Sequence, residues 1–193
     1  MIDPRLAPVT IDVGQVLQRT VTSLYAHLVT RPTGRAVRMA IEAQLDGAGK
    51  RSLSLIDLSE VVILDFSCAD EVVARLLQHA HEHVSQEAFF VFAGVHEPHR
   101  EQIQAVLERR GLAAVAETDD GVYELLGERS VGEERAWATL ERLGRLGSEE
   151  LESALPENGD REGLESLVAR RLAFRSSESG RVHALSHLVR RTA

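Results

Sequence analysis

Residues 88–95 read Ala-Phe-Phe-Val-Phe-Ala-Gly-Val. A β-type run this apolar is comfortable only where both faces are covered, as in a central strand of a largely parallel sheet. The residues before it supply one cover. Ala69, Val72, Val73, Leu76, Leu77, Ala80 and Val84 recur at helical spacing, so a helix starting near Ser67 buries a broad stripe. Val37, Ala40, Ile41 and Leu45 repeat the pattern ahead of Gly47. Ile103, Val106 and Leu107 do so within 101–110, ahead of Gly111. Between these helices lie strand candidates at 24–29, 53–58 and 112–116, and a short apolar run at 61–64 that leads into Asp65. Arg31-Pro32-Thr33-Gly34 reads as a turn. Strands alternating with helices in this way predict an α/β layer with a mixed, mostly parallel sheet flanked by helices.

The pattern changes near residue 127. A helix is expected over 133–146, closed by Gly147. A shorter one follows over 148–155, stopped by Pro156 and the Asn158-Gly159 turn. Asp160 is placed to cap a third, running to about Arg171. Two short strands, 172–175 and 181–185, flank Ser176-Ser177-Glu178-Ser179-Gly180. Three helices and a β-hairpin describe a winged-helix module. The expected organisation is an α/β domain over 1–127, with its core at about 20–125, and a small winged-helix-like domain over 128–193.

With 193 residues, 44% of them hydrophobic, the chain can build one good core or two modest ones. A net charge of −8 opposes general nucleic-acid or anionic-membrane binding and suits a cytoplasmic protein. The single cysteine, Cys68, excludes an intrachain disulfide and fits a reducing compartment. Met1-Ile2-Asp3-Pro4 does not open a signal peptide, and no apolar run is long enough to span a bilayer. Gly-x-Gly-x-x-Gly, Walker and Gly-x-Ser-x-Gly patterns are absent, so no cofactor, nucleotide or serine-hydrolase chemistry is expected. His79-Ala80-His81-Glu82-His83 puts His79 and His83 one helical turn apart, and His96 and His99 make a second pair. No zinc signature accompanies them, so solvent-facing histidines outweigh a metal site.

Residues 55–71 read Leu-Ile-Asp-Leu-Ser-Glu-Val-Val-Ile-Leu-Asp-Phe-Ser-Cys-Ala-Asp-Glu. This resembles the central signature of STAS domains, the fold of bacterial anti-sigma-factor antagonists. That signature has a strand ending in an aspartate turn, an apolar stretch, a second aspartate, a Ser/Thr pair and a helix. Asp57 and Asp65 stand at the aspartate positions. Ser67 stands at the second hydroxyl of the pair, the one phosphorylated in members that act as switches. Phe66 replaces the first hydroxyl and Cys68 the usual glycine. Ser67-Cys68-Ala69-Asp70-Glu71 is more similar to a STAS-like subfamily of unknown function that carries Ser-Phe-Ala-Asp-Glu here, often beside histidine-kinase-type ATPases. The resemblance covers about residues 20–125. It implies a non-catalytic partner switch that binds a kinase-type ATPase or an anti-sigma protein, with phosphate on Ser67 weakening docking.

The residues themselves allow several roles. Ser67, at the entry to a helix, is suited to cap it, with Asp70 reaching back as in a capping box. A plain cap outweighs a phospho-acceptor, and the two are compatible. Phosphate there adds nearly two negative charges beside Asp65, Asp70 and Glu71. Asp57 and Asp65 as a catalytic pair is the weakest reading, because strand-end aspartates usually serve turns. Cys68 is expected to pack as a small buried residue rather than act as a reactive thiol.

In the third C-terminal helix Leu164, Leu167 and Val168 are expected inward, with Arg161, Glu162, Glu165, Ser166 and Arg170 outward. Its two glutamates oppose phosphate contact. Arg170, Arg171, Arg175, Arg181, Arg190 and Arg191 make the wing region basic. Arg161, Arg170, Arg171, Arg175 and Arg181 are therefore the candidate DNA contacts. Protein contact or homodimerisation is favoured over DNA for this module. Three functions follow in order: a partner-switching regulator, a DNA-binding transcription regulator and, last, an enzyme.

Overall fold

The computed structural model describes residues 8–13, 15–16, 27–45, 51–82 and 87–190. Strands β1 (Pro8–Asp12), β3 (Arg51–Asp57), β5 (Glu87–Val95), β6 (Ala113–Thr118) and β7 (Tyr123–Gly127) form a sheet in the order β1-β3-β5-β6-β7. The first four are mutually parallel and β7 is antiparallel to β6. β2 (His27–Leu28) and β4 (Ile63–Leu64) pair in parallel as a separate ribbon. The run at 88–95 thus lies in the central strand. Successive side chains point to opposite faces, so Phe90 and Phe92 enter one core while Phe89 and Val91 enter another.

Helices α1 (Arg31–Leu45), α2 (residues 66–82) and α3 (Glu97–Arg109) cover the first face. α2 opens as Phe66–Ala69, widens into a π-helical stretch over Asp70–Arg75 and closes as Leu76–Glu82. Two starts differ from the sequence reading. Arg31-Pro32-Thr33-Gly34 is no turn but the first turn of α1. Thr30 Oγ1 accepts from the Thr33 N–H at 3.4 Å, and Pro32 falls where a helix needs no N–H. α3 likewise begins at Glu97 rather than Glu101, with Pro98 in its opening turn. β7 was not expected at all. His83 and Val84, and the first half of the strand expected at 24–29, lie outside the described residues.

The chain continues through α4 (Val131–Leu143), β8 (Arg145–Leu146), α5 (Leu151–Ala154), α6 (Asn158–Ala169), β9 (Ala173–Arg175), β10 (Val182–Ala184) and α7 (Leu185–Arg190). The strands form an antiparallel sheet in the order β8-β10-β9. α4 opens on a capping box between Ser130 and Glu133 and stops at Gly144, where φ is 78°. The expected helix to residue 146 is therefore cut short, and 145–146 join the sheet instead. α6 starts ahead of Asp160, which is buried in its first turn rather than capping it. α7 is a further unexpected helix. α4 and α6 cross at glycines: a Cβ on Gly163 would stand 2.3 Å from the Gly132 carbonyl carbon.

This second group packs on the other face of the large sheet. Leu53, Phe89, Val91, Val115 and Leu125 share a core with Leu140, Leu164, Phe174 and Leu188. The Phe89 and Phe174 rings meet edge to face at 5.5 Å. At the rim, Arg171 Nη1 donates to the Ala80 carbonyl at 2.8 Å. The result is a mixed α/β architecture with a parallel-rich sheet flanked by helices. Among the described residues no helix is long and apolar enough to cross a membrane.

Candidate functional site

β4 ends at Leu64 and α2 begins at Phe66, so the chain passes from strand to helix through Asp65. Asp65 is the cap of α2. Its Oδ1 accepts the Cys68 N–H at 2.8 Å and the Ser67 hydroxyl at 2.9 Å. The capping role expected of Ser67 thus belongs to the residue two before it. A carboxylate there suits the positive end of the helix and leaves Ser67 half-buried in the first turn. Asp57 serves a turn, accepting the Ser59 N–H at 2.9 Å and the Ser59 hydroxyl at 2.6 Å.

Cys68 is buried, and its Sγ donates to the Thr30 carbonyl at 3.0 Å. Burial and the neighbouring Asp65 push the thiol up to about 12. It is a packed, inert group at neutral pH.

Asp70 does not reach back to the helix start. Asp70 and Glu71 are 4% and 2% exposed and lie beneath a layer of guanidinium groups. Arg110 Nε is 2.5 Å from Asp70 Oδ1, and Arg31 Nη1 is 2.7 Å from Oδ2. Arg31 Nη1 also reaches Glu71 Oε1 at 2.9 Å, while Arg38 Nε and Arg75 Nε each stand 3.3 Å from Glu71. Burial alone would raise the Asp70 carboxyl, but the bonds from Arg110 and Arg31 outweigh it and hold it at about 2. The sequence reading missed this clamp. Its only local signal was the Glu71–Arg75 spacing of four, and the remaining arginines come from α1 and the end of α3.

The loop between Asp57 and Asp65 is held from α3. His96 Nε2 lies 3.3 Å from the Ser59 carbonyl, and its Nδ1 pairs with Asp119 at 2.5 Å. His99 is buried and hydrogen-bonded to the backbone of Val62; burial keeps its imidazole below the ordinary value. The loop so held presents Val62 and Ile63, 68% and 44% exposed, and Val29 beside them is 46% exposed. Ser67 therefore opens its helix beside an apolar edge fixed from below. Among the described residues no group of three or more His, Cys, Asp or Glu is arranged to hold a metal ion.

The C-terminal arginines are committed elsewhere. Arg161 Nη1 donates to the Leu155 carbonyl at 2.7 Å and to that of Pro156 at 2.9 Å. Arg170 binds Glu133 at 2.8 Å and the Glu128 carbonyl at 2.9 Å. Arg171 holds Ala80, as above. Arg175 forks onto both oxygens of Glu165 at 2.5 and 3.0 Å, and Arg181 faces Glu149 at 3.5 Å. Glu162 and Glu165 remain on the exposed face of α6. Arg191 lies outside the described residues. Compared with protein-family models, curated proteins and solved structures, the chain matches none.

Proposed function

We propose that the chain is a non-catalytic regulator of STAS type that docks protein partners through the edge formed by Val29, Val62, Ile63 and the start of α2. Ser67 is its phospho-acceptor. The observation that carries this reading is the half-buried Ser67 hydroxyl, in the first turn of a helix, beside exposed aliphatic side chains on a braced loop. Exposed apolar patches on an otherwise polar surface mark protein contact sites. A kinase-type ATPase would transfer the γ-phosphoryl group of ATP to Ser67 Oγ, with loss of the hydroxyl proton and release of ADP. The added charge would oppose docking of an apolar or acidic surface.

Incubation with a neighbouring kinase-type ATPase and ATP, read by intact mass, tests the assignment. One phosphate gained by the native chain and none by Ser67→Ala is the expected result. A phosphate at another residue would overturn it.

The order of α4, β8, α5, α6, β9 and β10 supports a winged-helix reading of the second module. Its surface favours a protein partner over DNA. The five candidate arginines already face carboxylates or carbonyls, and the exposed face of α6 is acidic, so few cations are left to replace phosphate counterions. No retention on duplex DNA at low salt is expected; salt-sensitive retention would restore the DNA reading. Asp57 and Asp65 are occupied by turn and cap hydrogen bonds, which gives an enzyme reading little support.

A further inference from the structure

Among the described residues four arginines serve Asp70 and Glu71, so each carboxylate keeps a guanidinium partner if Arg31 is withdrawn. Arg31 Nη1 bridges the two carboxylates, yet its side chain is 46% exposed. Without it Asp70 keeps Arg110, through Nε at 2.5 Å and Nη2 at 3.0 Å, and Arg75 at 3.4 Å. Glu71 keeps Arg38 and Arg75, each at 3.3 Å. Ser67 precedes these acids by three and four residues, so it lies on their side of α2, with Cβ atoms roughly 5–6 Å apart. The first turn of α1 is pressed against the same place. Cys68 Sγ meets the Thr30 carbonyl at 3.0 Å, and a Cβ on Gly34 would stand 3.0 Å from Cys68 Cα. Arg31 is the next residue after Thr30.

We infer that Arg31 is the internal receptor for a phosphoryl group on Ser67, its guanidinium swinging from the Asp70–Glu71 bridge onto the phosphate oxygens. This rests on the phospho-acceptor reading above. A guanidinium fork matches phosphate geometry and forms stronger bonds to a dianion than to a carboxylate that is already shared. Asp65, Asp70 and Glu71 face the phosphate with negative charge. Arg31 and the half-exposed Arg75 answer them, and Arg109 lies further round, over the Phe66 ring at 5.8 Å. Phosphorylation then does more than repel a partner. It removes the Ser67 donor from Asp65 and ties the first turns of α1 and α2 together through the modification.

The test uses the full chain with phosphoserine installed at position 67 during synthesis, so that no kinase is needed. The phosphate is titrated by phosphorus NMR. Its second ionisation is expected below the usual value of about 6. Arg31→Gln should raise it by roughly one unit, Arg31→Lys should restore part of the shift, and Arg109→Gln should leave it unchanged. A value above that of free phosphoserine, or one that Arg109→Gln moves and Arg31→Gln does not, would overturn the assignment. Should Arg31→Gln fail to fold, the Nε–H resonance of Arg31 in the native chain decides. A downfield move on phosphorylation supports capture, and an unmoved resonance rejects it. A kinase that never modifies Ser67 would defeat the switch reading alone, because the installed phosphate still reports on Arg31.

Discussion

Asp70 is held by guanidinium groups from α1, from its own helix and from the end of α3, and that arrangement has a pH signature. An unfolded aspartate titrates near about 3.9. In the folded chain burial is outweighed by Arg110 and Arg31, and the carboxyl titrates at about 2. A carboxyl depressed by folding contributes stability that is complete above the unfolded value. That stability is lost as pH falls through the folded one. Its size here is about 2 kcal/mol, lost mainly between roughly pH 4 and pH 2. Asp70→Asn should remove this acid-side slope in urea unfolding. At neutral pH it should cost about 3 kcal/mol, because it strips Arg110 of its charged partner in a buried site. An unchanged slope between pH 4 and 2 would place the acid sensitivity in other carboxylates.

At the scale of elements, the helices that cover the first face were legible because their apolar residues recur at the helical period. β5 was legible because nothing in it after Glu87 is polar. What failed was local chemistry shared by two kinds of structure. Pro32-Thr33-Gly34 suits a turn and equally suits the opening of α1, where Gly34 lets α2 approach closely. The entry to α2 was found, but the cap went to Ser67 because a serine and a following acid imitate a capping box. The acid is instead claimed by arginines distant in sequence. The π-helical stretch left no trace in the pattern, although such widening is frequent at functional sites.

The α4–α6 crossing illustrates the same limit, since a glycine in a helix looks like a weak position until its neighbour is known. Gly163→Ala should cost about 3 kcal/mol, at the upper end of overpacking penalties, because the new methyl meets the Gly132 backbone. Gly159→Ala, four residues earlier in α6, meets nothing within 4 Å and should be neutral or slightly stabilising. Urea midpoints of the two variants check the contrast, and equal midpoints would mean that the helices do not cross there.

The whole molecule is organised by its large sheet, which carries a core on each face. Sequence periodicity sees each half of the chain as able to fold, since 20–125 has its own strands and helices and 128–193 its own smaller set. It does not see that Leu53, Phe89, Val91, Val115 and Leu125 are covered by the second set rather than by solvent. Burying one such side chain contributes about 1.5–3 kcal/mol, so uncovering several is comparable to the roughly 5–15 kcal/mol typical of a domain's whole stability. A fragment ending at Gly127 should therefore behave as a loosened, dye-binding species that unfolds with low cooperativity. Segment 128–193 supplied in trans should restore a sharp transition, and Phe174→Ala in that segment should weaken the restoration, because the ring packs edge to face on Phe89. A fragment that is monomeric, binds no apolar dye and melts as sharply as the full chain would show that the first half closes its own core. The Ser67 edge lies where α2 begins, on the face that α1 and α3 cover. Among the described residues the second module reaches the far end of α2, where Arg171 Nη1 donates to the Ala80 carbonyl and His81 Nε2 lies 3.2 Å from the Arg170 carbonyl, so it could report docking through those contacts or through the shared sheet.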